Sequence, residues 1–300
     1  MSVIAIDLGG SKLAAAIFTS RGRILHRNVV TLKGRRGKAV GRLIREMILD
    51  CLRIAAEQRQ SISGIGIAIP GIVDHLGKTV WAPNIPGWKK YPLQKEIESI
   101  LRNHRIPVRL ECDRACYILG EVWQGAARGC KDAIFLAVGT GIGAGILADG
   151  KILNGAHGVA GAIGWMGLRQ PYLPQYKRCG CFEYHASGRG LATEDLFAAW
   201  QCGDPLAKEM LRQAVADWGM ATANLVSLFN PEKIIFGGGV FGPAVQFLPD
   251  ILAEAKKWAQ PISIKQVKLE ASKLGGDAGV FGAAFLALPQ NVLLTSGKSR

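Results

Sequence analysis

Residues 5–18 read AIDLGGSKLAAAIF and residues 135–147 read FLAVGTGIGAGIL. Each stretch is an apolar run, a glycine-rich turn holding one small hydroxyl residue, and a second apolar run. Short apolar runs bounded by glycines read as buried strands, so each stretch is a hairpin with an open tip. Glycines at a tip leave backbone N–H groups free to face an anion. The first tip gathers Asp7, Gly9, Gly10, Ser11 and Lys12; a carboxylate, a hydroxyl and an ammonium beside glycines suit a metal-bound phosphate. The second tip, Gly139, Thr140 and Gly141, sets a hydroxyl between two glycines, where it can contact a terminal phosphate. Taken alone, the first motif fits an ordinary hairpin turn equally well. Lys12 follows Gly-Gly-Ser, so Walker A spacing is absent, and Ala144 breaks the G-x-G-x-x-G pattern ahead of a strand, which disfavours a dinucleotide site. Two hairpins of one scheme suggest an internal duplication.

Outward from the tips, strands and helices alternate. Val3–Asp7, Leu13–Phe18 and Ile24–Leu32 read as strands, and the spacing of Val40, Leu43, Ile44, Met47, Ile48, Cys51 and Leu52 predicts a helix over Ala39–Arg59. Strands follow at Gly64–Ile69 and Val108–Glu111, with a helix over Arg114–Ala127. The scheme restarts with strands at Ile134–Val138 and Gly145–Leu147 and a turn at Asp149-Gly150. Pro205–Phe229 is a long helix ending at Asn230-Pro231, and the strand Ile234–Phe236 runs into Gly237, Gly238 and Gly239. There the missing side chains suit either close packing, the stronger reading of that motif alone, or the approach of a flat adenine or ribose. Gly276–Leu288 is a closing helix, and Ser296–Arg300 a frayed basic tail. The class is α/β.

The 300 residues exceed what one compact core needs, so two lobes with a cleft between them are expected. Apolar residues at 49% and charged residues at 20% exclude long disorder. A net charge of +14 suits anionic ligands, nucleotides and nucleic acid included. The most basic stretch, Lys33–Arg45, lacks interleaved aromatic residues and a helix-turn-helix extension, so it reads as a solvated loop rather than a nucleic-acid surface. Seven cysteines, mostly single in apolar segments, fit a reduced, cytoplasmic protein. Asp7 interrupts the first apolar run, so MSVIAIDLGGSK is not a signal peptide, and Ala278–Leu288 stops at Pro289, too short to span a bilayer.

An ordered set of motifs runs over nearly the whole chain: DLGGSK at 7–12, PNIPGW at 83–88, the Asp113 segment and VGTGIGAGIL at 138–147. GAHGVAGAIGW at 155–165, GCFEYHASGRG at 180–190, NPEKIIFGGGV at 230–240 and GVFGAA at 279–284 complete it. The set resembles the sugar-kinase, actin and Hsp70 ATPase superfold, and within it the ROK family of bacterial sugar kinases and repressors. The resemblance implies a two-lobed actin-like ATPase (ribonuclease H-like) fold. One lobe would be residues 1–112 plus 285–300, the other residues 113–284. It implies ATP and Mg²⁺, with Asp7 organising Mg²⁺ through water. Gly10, Ser11, Lys12 and Thr140 would surround the β- and γ-phosphates, and Gly238 and Gly239 would lie beside the adenosine. Asp113 would be the base that takes a proton from a sugar hydroxyl, although its place ahead of a helix also suits an N-cap. A homodimer is common among such proteins. ROK repressors carry an added N-terminal DNA-binding domain, whereas the phosphate motif here begins at residue 7.

The chain also departs from that pattern. ROK kinases usually carry a Glu-x-Gly-His element that holds the sugar, its His also binding zinc; here the run is Ala162-Ile163-Gly164-Trp165. An Asn-Asp pair appears as Cys112-Asp113, and the cysteine-rich zinc loop is shortened to Cys179-Gly180-Cys181-Phe182-Glu183. Asn84, Asp113, Glu183 and Trp165 remain as sugar contacts. Cys179, Cys181, His157 and His185 supply soft ligands, but a Cys-x-Cys pair is no zinc signature, so zinc is expected to be lost. Trp165, Trp88, Phe182 and Tyr184 could supply apolar area in its place. The expected activity is ATP-dependent phosphorylation of a hexose-like sugar, with poor affinity for free glucose relative to a substituted sugar. A non-catalytic sugar or nucleotide sensor of the same fold is the alternative.

Overall fold

The computed structural model describes residues 1–102 and 104–289. The expected tail at 296–300 and the last part of the first lobe, 290–300, lie outside the described residues. The chain opens with β1 (Ser2–Leu8), β2 (Lys12–Thr19), β3 (Ile24–Thr31), α1 (Lys38–Glu57), β4 (Ile62–Ile69), β5 (Ile72–Asp74), β6 (Thr79–Trp81), α2 (Leu93–Ile100), β7 (Val108–Cys112) and α3 (Asp113–Gln124). It continues with β8 (Ala133–Val138), β9 (Ile142–Ala148), β10 (Lys151–Ile152), α4 (Cys181–Ala186), α5 (Gly188–Leu191), α6 (Thr193–Gln201) and α7 (Pro205–Phe229). β11 (Lys233–Gly237), α8 (Leu248–Ala255), β12 (Lys268–Ala271) and α9 (Ala278–Ala287) close it.

Two five-stranded sheets share one plan. The first runs β3-β2-β1-β4-β7 and the second β10-β9-β8-β11-β12. In each, three antiparallel strands are followed by two parallel ones. The sequence hairpins are the central β1–β2 and β8–β9 pairs, so the repeat seen in two short segments extends to the whole sheet order. Parallel strands are covered on both faces, which is why β4 and β11 are nearly all apolar.

The chain divides into two compact units. One is Met1–Arg128 with Asn154–Val159 and the stretch from Asp277 on; the other is Gly129–Leu153 with Ala160–Gly276. The first division therefore falls after Arg128 rather than at 112/113, and all of α9 belongs to the first unit rather than only residues from 285. Glycine explains both shifts. A Cβ at Gly282 of α9 would collide with the carbonyl of Cys116 in α3, and one at Gly120 with the carbonyl of Ala278. The two helices touch backbone to backbone and cannot be assigned to different units. Arg109 adds a tie: its Nη1 donates to the carbonyls of Leu286, Ala287 and Leu288 at 3.1, 3.2 and 3.4 Å. Those carbonyls have no partner within the helix, and a cation at that end also meets the dipole favourably.

In the first unit, α1 buries Val40, Leu43, Ile44, Met47, Ile48 and Cys51 against the sheet, as its periodicity predicts. In the second, α7 starts at Pro205 with the Asp204 side chain accepting from Ala207 N at 2.7 Å, and it ends where Asn230 takes a left-handed conformation. The short β5–β6 hairpin, α2, α6, α8 and β12 do not emerge from the sequence pattern. Each is too short, or too mixed in polarity, for a period to show. No helix among the described residues is long and apolar enough to cross a membrane.

Candidate active site

In the first unit the β1–β2 register pairs Leu8 with Leu13, and Gly9 N donates to Lys12 O at 2.9 Å. Gly9, Gly10 and Ser11 form the tip. No atom lies within 4 Å of a Cβ built on Gly10, and Ser11 and Lys12 are exposed, so the tip is open to a ligand. Asp7, near the end of β1, packs on the start of α9, where a Cβ at Gly279 would come 2.5 Å from its Oδ2. Burial pushes the Asp7 carboxyl up to about 7; the Asp113 charge adds to this, the Lys12 ammonium opposes it, and Asp277 adds again.

Asp113 stands where parallel strand β7 ends and α3 begins, the end of an α/β sheet at which ligand crevices form. The expected N-cap role is not observed. Cys112 is the cap residue, without a side-chain bond, and Asp113 is the first helical residue. Its Oδ1 accepts from Arg114 N at 2.8 Å and its Oδ2 from the Tyr117 hydroxyl at 3.4 Å. Burial raises its pKa, opposed by the Arg114 charge and by these hydrogen bonds. Tyr117 lies one helical turn on, a spacing by which the pair could have been found in the sequence. At the Asn-to-Cys departure, Cys112 is buried and its N–H donates to Glu111 Oε1 at 2.8 Å. The other Glu111 oxygen accepts from Asn154 Nδ2 at 3.3 Å. Asn84 is exposed, and it lines a cavity of about 380 Å³ together with Gly10 and Ser11. Trp88 is not a loop filler: it is buried, stacked on Tyr91, and donates from Nε1 to Gly37 O at 3.0 Å.

The second unit repeats the tip. Val138 pairs with Ile142, and Gly139 N donates to Gly141 O at 2.9 Å, leaving Thr140 exposed at the apex. Glu183 of α4 reaches this tip, its Oε2 accepting from Ile142 N at 2.7 Å. A Cβ at Gly141 would come 2.6 Å from that oxygen, so glycine is needed for the carboxylate to approach. Gly188 N donates to Gly139 O at 2.7 Å from the other side. Burial raises the Glu183 pKa; the Ile142 hydrogen bond and Arg189 oppose it. One Glu183 oxygen is thus committed to backbone, which the sequence reading as a sugar contact did not foresee. The turn Ile163–Trp165 lies beside it, a Cβ at Gly164 falling 3.1 Å from Glu183 Oε2. Trp165 is 58% exposed, offering a ring face rather than filling a core. Gly238 takes φ +90 and a Cβ there would strike the Val138 carbonyl, so that glycine serves packing; Gly239 opens on free space.

In the shortened zinc loop, the Tyr176 hydroxyl bonds His185 Nε2 at 2.8 Å, and the Tyr176 ring meets Tyr172, Tyr184 and His185 edge-on. Cys181 and Phe182 are buried, whereas Tyr184 is partly exposed. Tyr176, missed in the sequence, organises the loop. Among the described residues, no group of three His, Cys, Asp or Glu side chains could hold a metal ion. A Mg²⁺ carried by a nucleotide needs less, since it keeps water and phosphate ligands and asks for one or two carboxylates. Asp7, its pKa raised by burial and then by Asp113, is a hard-oxygen donor whose charge a cation would stabilise.

The ROK family model matches residues 3–290. The glucokinase of Halalkalibacterium halodurans is 29% identical, over 98% of this chain and 97% of its own. Among solved structures, the ROK hexokinase of Thermus thermophilus is 31% identical with a TM-score of 0.81, over 96% of this chain and 98% of that one. A ROK family glucokinase from Streptomyces griseus, in complex with glucose and AMPPNP, is 30% identical with a TM-score of 0.75, over 96% and 99%. With its duplicated sheets, its two glycine tips and these matches over nearly its full length, the chain belongs to the ROK family.

Proposed function

We propose that this ROK-family protein is a carbohydrate kinase that transfers the γ-phosphate of ATP to a hydroxyl of a hexose-like sugar, with Asp113 as base. The observation that carries the reading is the Asp113 carboxylate at the β7–α3 junction. It is held by Arg114 N and Tyr117 and lies in the same unit as the open tip with Asp7, Ser11 and Lys12. Phosphoryl transfer needs positioning and charge neutralisation more than covalent chemistry. The sugar oxygen attacks the γ-phosphorus, the bond to the leaving ADP oxygen breaks, and the hydroxyl proton passes to Asp113. A pKa raised by burial improves a carboxylate as proton acceptor.

On the first unit Ser11 and Lys12 would handle the donor's phosphates; in the second, Thr140 is the candidate for a phosphate contact and Gly239 leaves room for an adenosine. Asp7 would hold the nucleotide's Mg²⁺ through water, and that ion supplies charge neutralisation on the phosphates. On the first unit Asn84 would contact the sugar; in the second, Trp165 and the uncommitted Glu183 oxygen are the candidates for a sugar contact. Ala162 and Trp165, where ROK kinases carry Glu and His, favour a substituted sugar over free glucose. The same two losses favour a second reading, a sugar-binding regulator, since the family also includes repressors. An ADP-release screen across hexoses, amino sugars and N-acetyl sugars separates the two: turnover on any of them supports the kinase, and binding without turnover supports the regulator.

A further inference from the structure

Three loops of the first unit are tied together around the cavity that holds Asn84. Leu32 N donates to Ser11 O at 2.8 Å, which pins the loop after β3 to the phosphate tip. Gly37 N donates to Pro86 O at 2.8 Å, and Trp88 Nε1 to Gly37 O at 3.0 Å, which pins the other end of that loop to the 83–88 segment. Between the pins the chain turns sharply through Lys33 and Gly34, at φ 46 and 73. A non-glycine residue adopts that conformation only at some cost, so the turn is held by its anchors. The result is a concave site of about 380 Å³ lined by Gly10, Ser11, Lys33, Arg35, Arg36 and Asn84, within the size range of small-molecule sites.

Its charge is one-sided. Arg35 Nη1 is folded back on the carbonyls of Thr31 and Leu32 at 3.3 Å each. Lys33 and Arg36 form no ion pair among the described residues. Of the groups expected to serve the donor, Gly10 and Ser11 line the cavity while Asp7 and Lys12 do not. Asn84, the expected sugar contact, lines it as well, so the cavity runs from the phosphate tip to the acceptor's contact. The start of α1 at Lys38 adds the positive end of a 20-residue helix dipole. A nucleic acid would need a broad open surface, but these cations converge on a cavity.

We propose that the acceptor is an anionic sugar, carrying a phosphate or a carboxylate that Lys33, Arg35 and Arg36 hold while Asn84 contacts the ring. Charge-assisted hydrogen bonds of Lys and Arg to such groups are short and strong, and the guanidinium fork fits both. The inference rests on the carbohydrate-kinase reading for its turnover but not for its binding, so both are measured. ADP release is followed with glucose and N-acetylglucosamine as neutral acceptors, glucose 1-phosphate and glucosamine 6-phosphate as phosphates, and glucuronate and gluconate as carboxylates. Calorimetry measures the binding of the same compounds. The expected result is that one anionic class exceeds its neutral counterpart by about tenfold or more in kcat/KM and in affinity. That preference should shrink as salt rises. Lys33→Ala with Arg36→Ala should weaken binding of the anionic sugar about tenfold or more, with the KM for ATP within about twofold of wild type. If calorimetry shows the preference without any ADP release, the kinase reading fails and the anion site stands. Neutral sugars binding as well as or better than both anionic classes overturns the inference. So does a double variant whose defect falls on ATP, which would assign the loop to the donor.

Discussion

Glu183 Oε2 accepts a hydrogen bond from the backbone N–H of Ile142 at 2.7 Å, locking the second glycine tip onto α4. The residue that the family pattern offers as a sugar contact therefore also sets the shape of the second glycine tip. Glu183→Gln keeps an oxygen for Ile142 N, while Glu183→Ala leaves that N–H without its partner. Removing the acceptor of a buried donor costs about 1–3 kcal/mol. Chemical denaturation should show that loss for Glu183→Ala and less than half of it for Glu183→Gln. Equal losses would mean the bond does not organise the tip.

Asp7 gives the protein an unusual pH dependence. Its folded pKa, raised to about 7 from 3.8, means that between about pH 4 and 7 the folded chain keeps a proton that the unfolded chain releases. Stability from this group is fully present below about pH 4 and is lost as pH rises through 7. At about 1.4 kcal/mol per pKa unit, the loss reaches up to about 4 kcal/mol. Without nucleotide or divalent ions, Asp7→Asn should be more stable than wild type at pH 8 and close to it at pH 4. A stability difference that does not change over that range would contradict the assignment.

Arg109 caps the end of α9 from β7, so it matters beyond its own strand. Arg109→Ala leaves three carbonyls short of a donor and should destabilise the fold by about 1–3 kcal/mol, measured by urea unfolding. Arg109→Lys, with fewer donors, should fall between the two. An unchanged midpoint for Arg109→Ala would show that water replaces the cap freely.

The shortened loop around Cys179 and Cys181 should stand without metal. A chelator selective for transition metals should leave the Tm unchanged, whereas Tyr176→Phe, which removes the hydroxyl bonded to His185, should cost about 0.5–1.5 kcal/mol. One zinc per chain in elemental analysis, with a Tm that falls on chelation, would restore the two cysteines as ligands.

Much of this was legible in the chain itself. The two glycine tips, the strands that bound them, α1 and α7 all follow from runs and periods long enough to read, and the ordered motifs carried the family. Other features depend on contacts that no local pattern encodes. The unit boundary turns on Gly120 and Gly282, whose missing side chains let α3 and α9 touch. The backbone role of Glu183 depends on Gly141, 42 positions away. The cavity beside Asn84 joins loops that are distant in sequence through backbone hydrogen bonds, a tie that the local pattern of Lys33–Arg45, a solvated basic loop on its composition, does not encode.

The central claim is that Asp113 takes the acceptor's proton, and single-turnover measurement of the Asp113→Asn variant on the best acceptor tests it most directly. Asn keeps the shape and the hydrogen bond from Arg114 N but cannot accept the proton. Turnover should fall by about two to four orders of magnitude, with ATP affinity nearly unchanged. A variant that retains wild-type turnover would contradict the account.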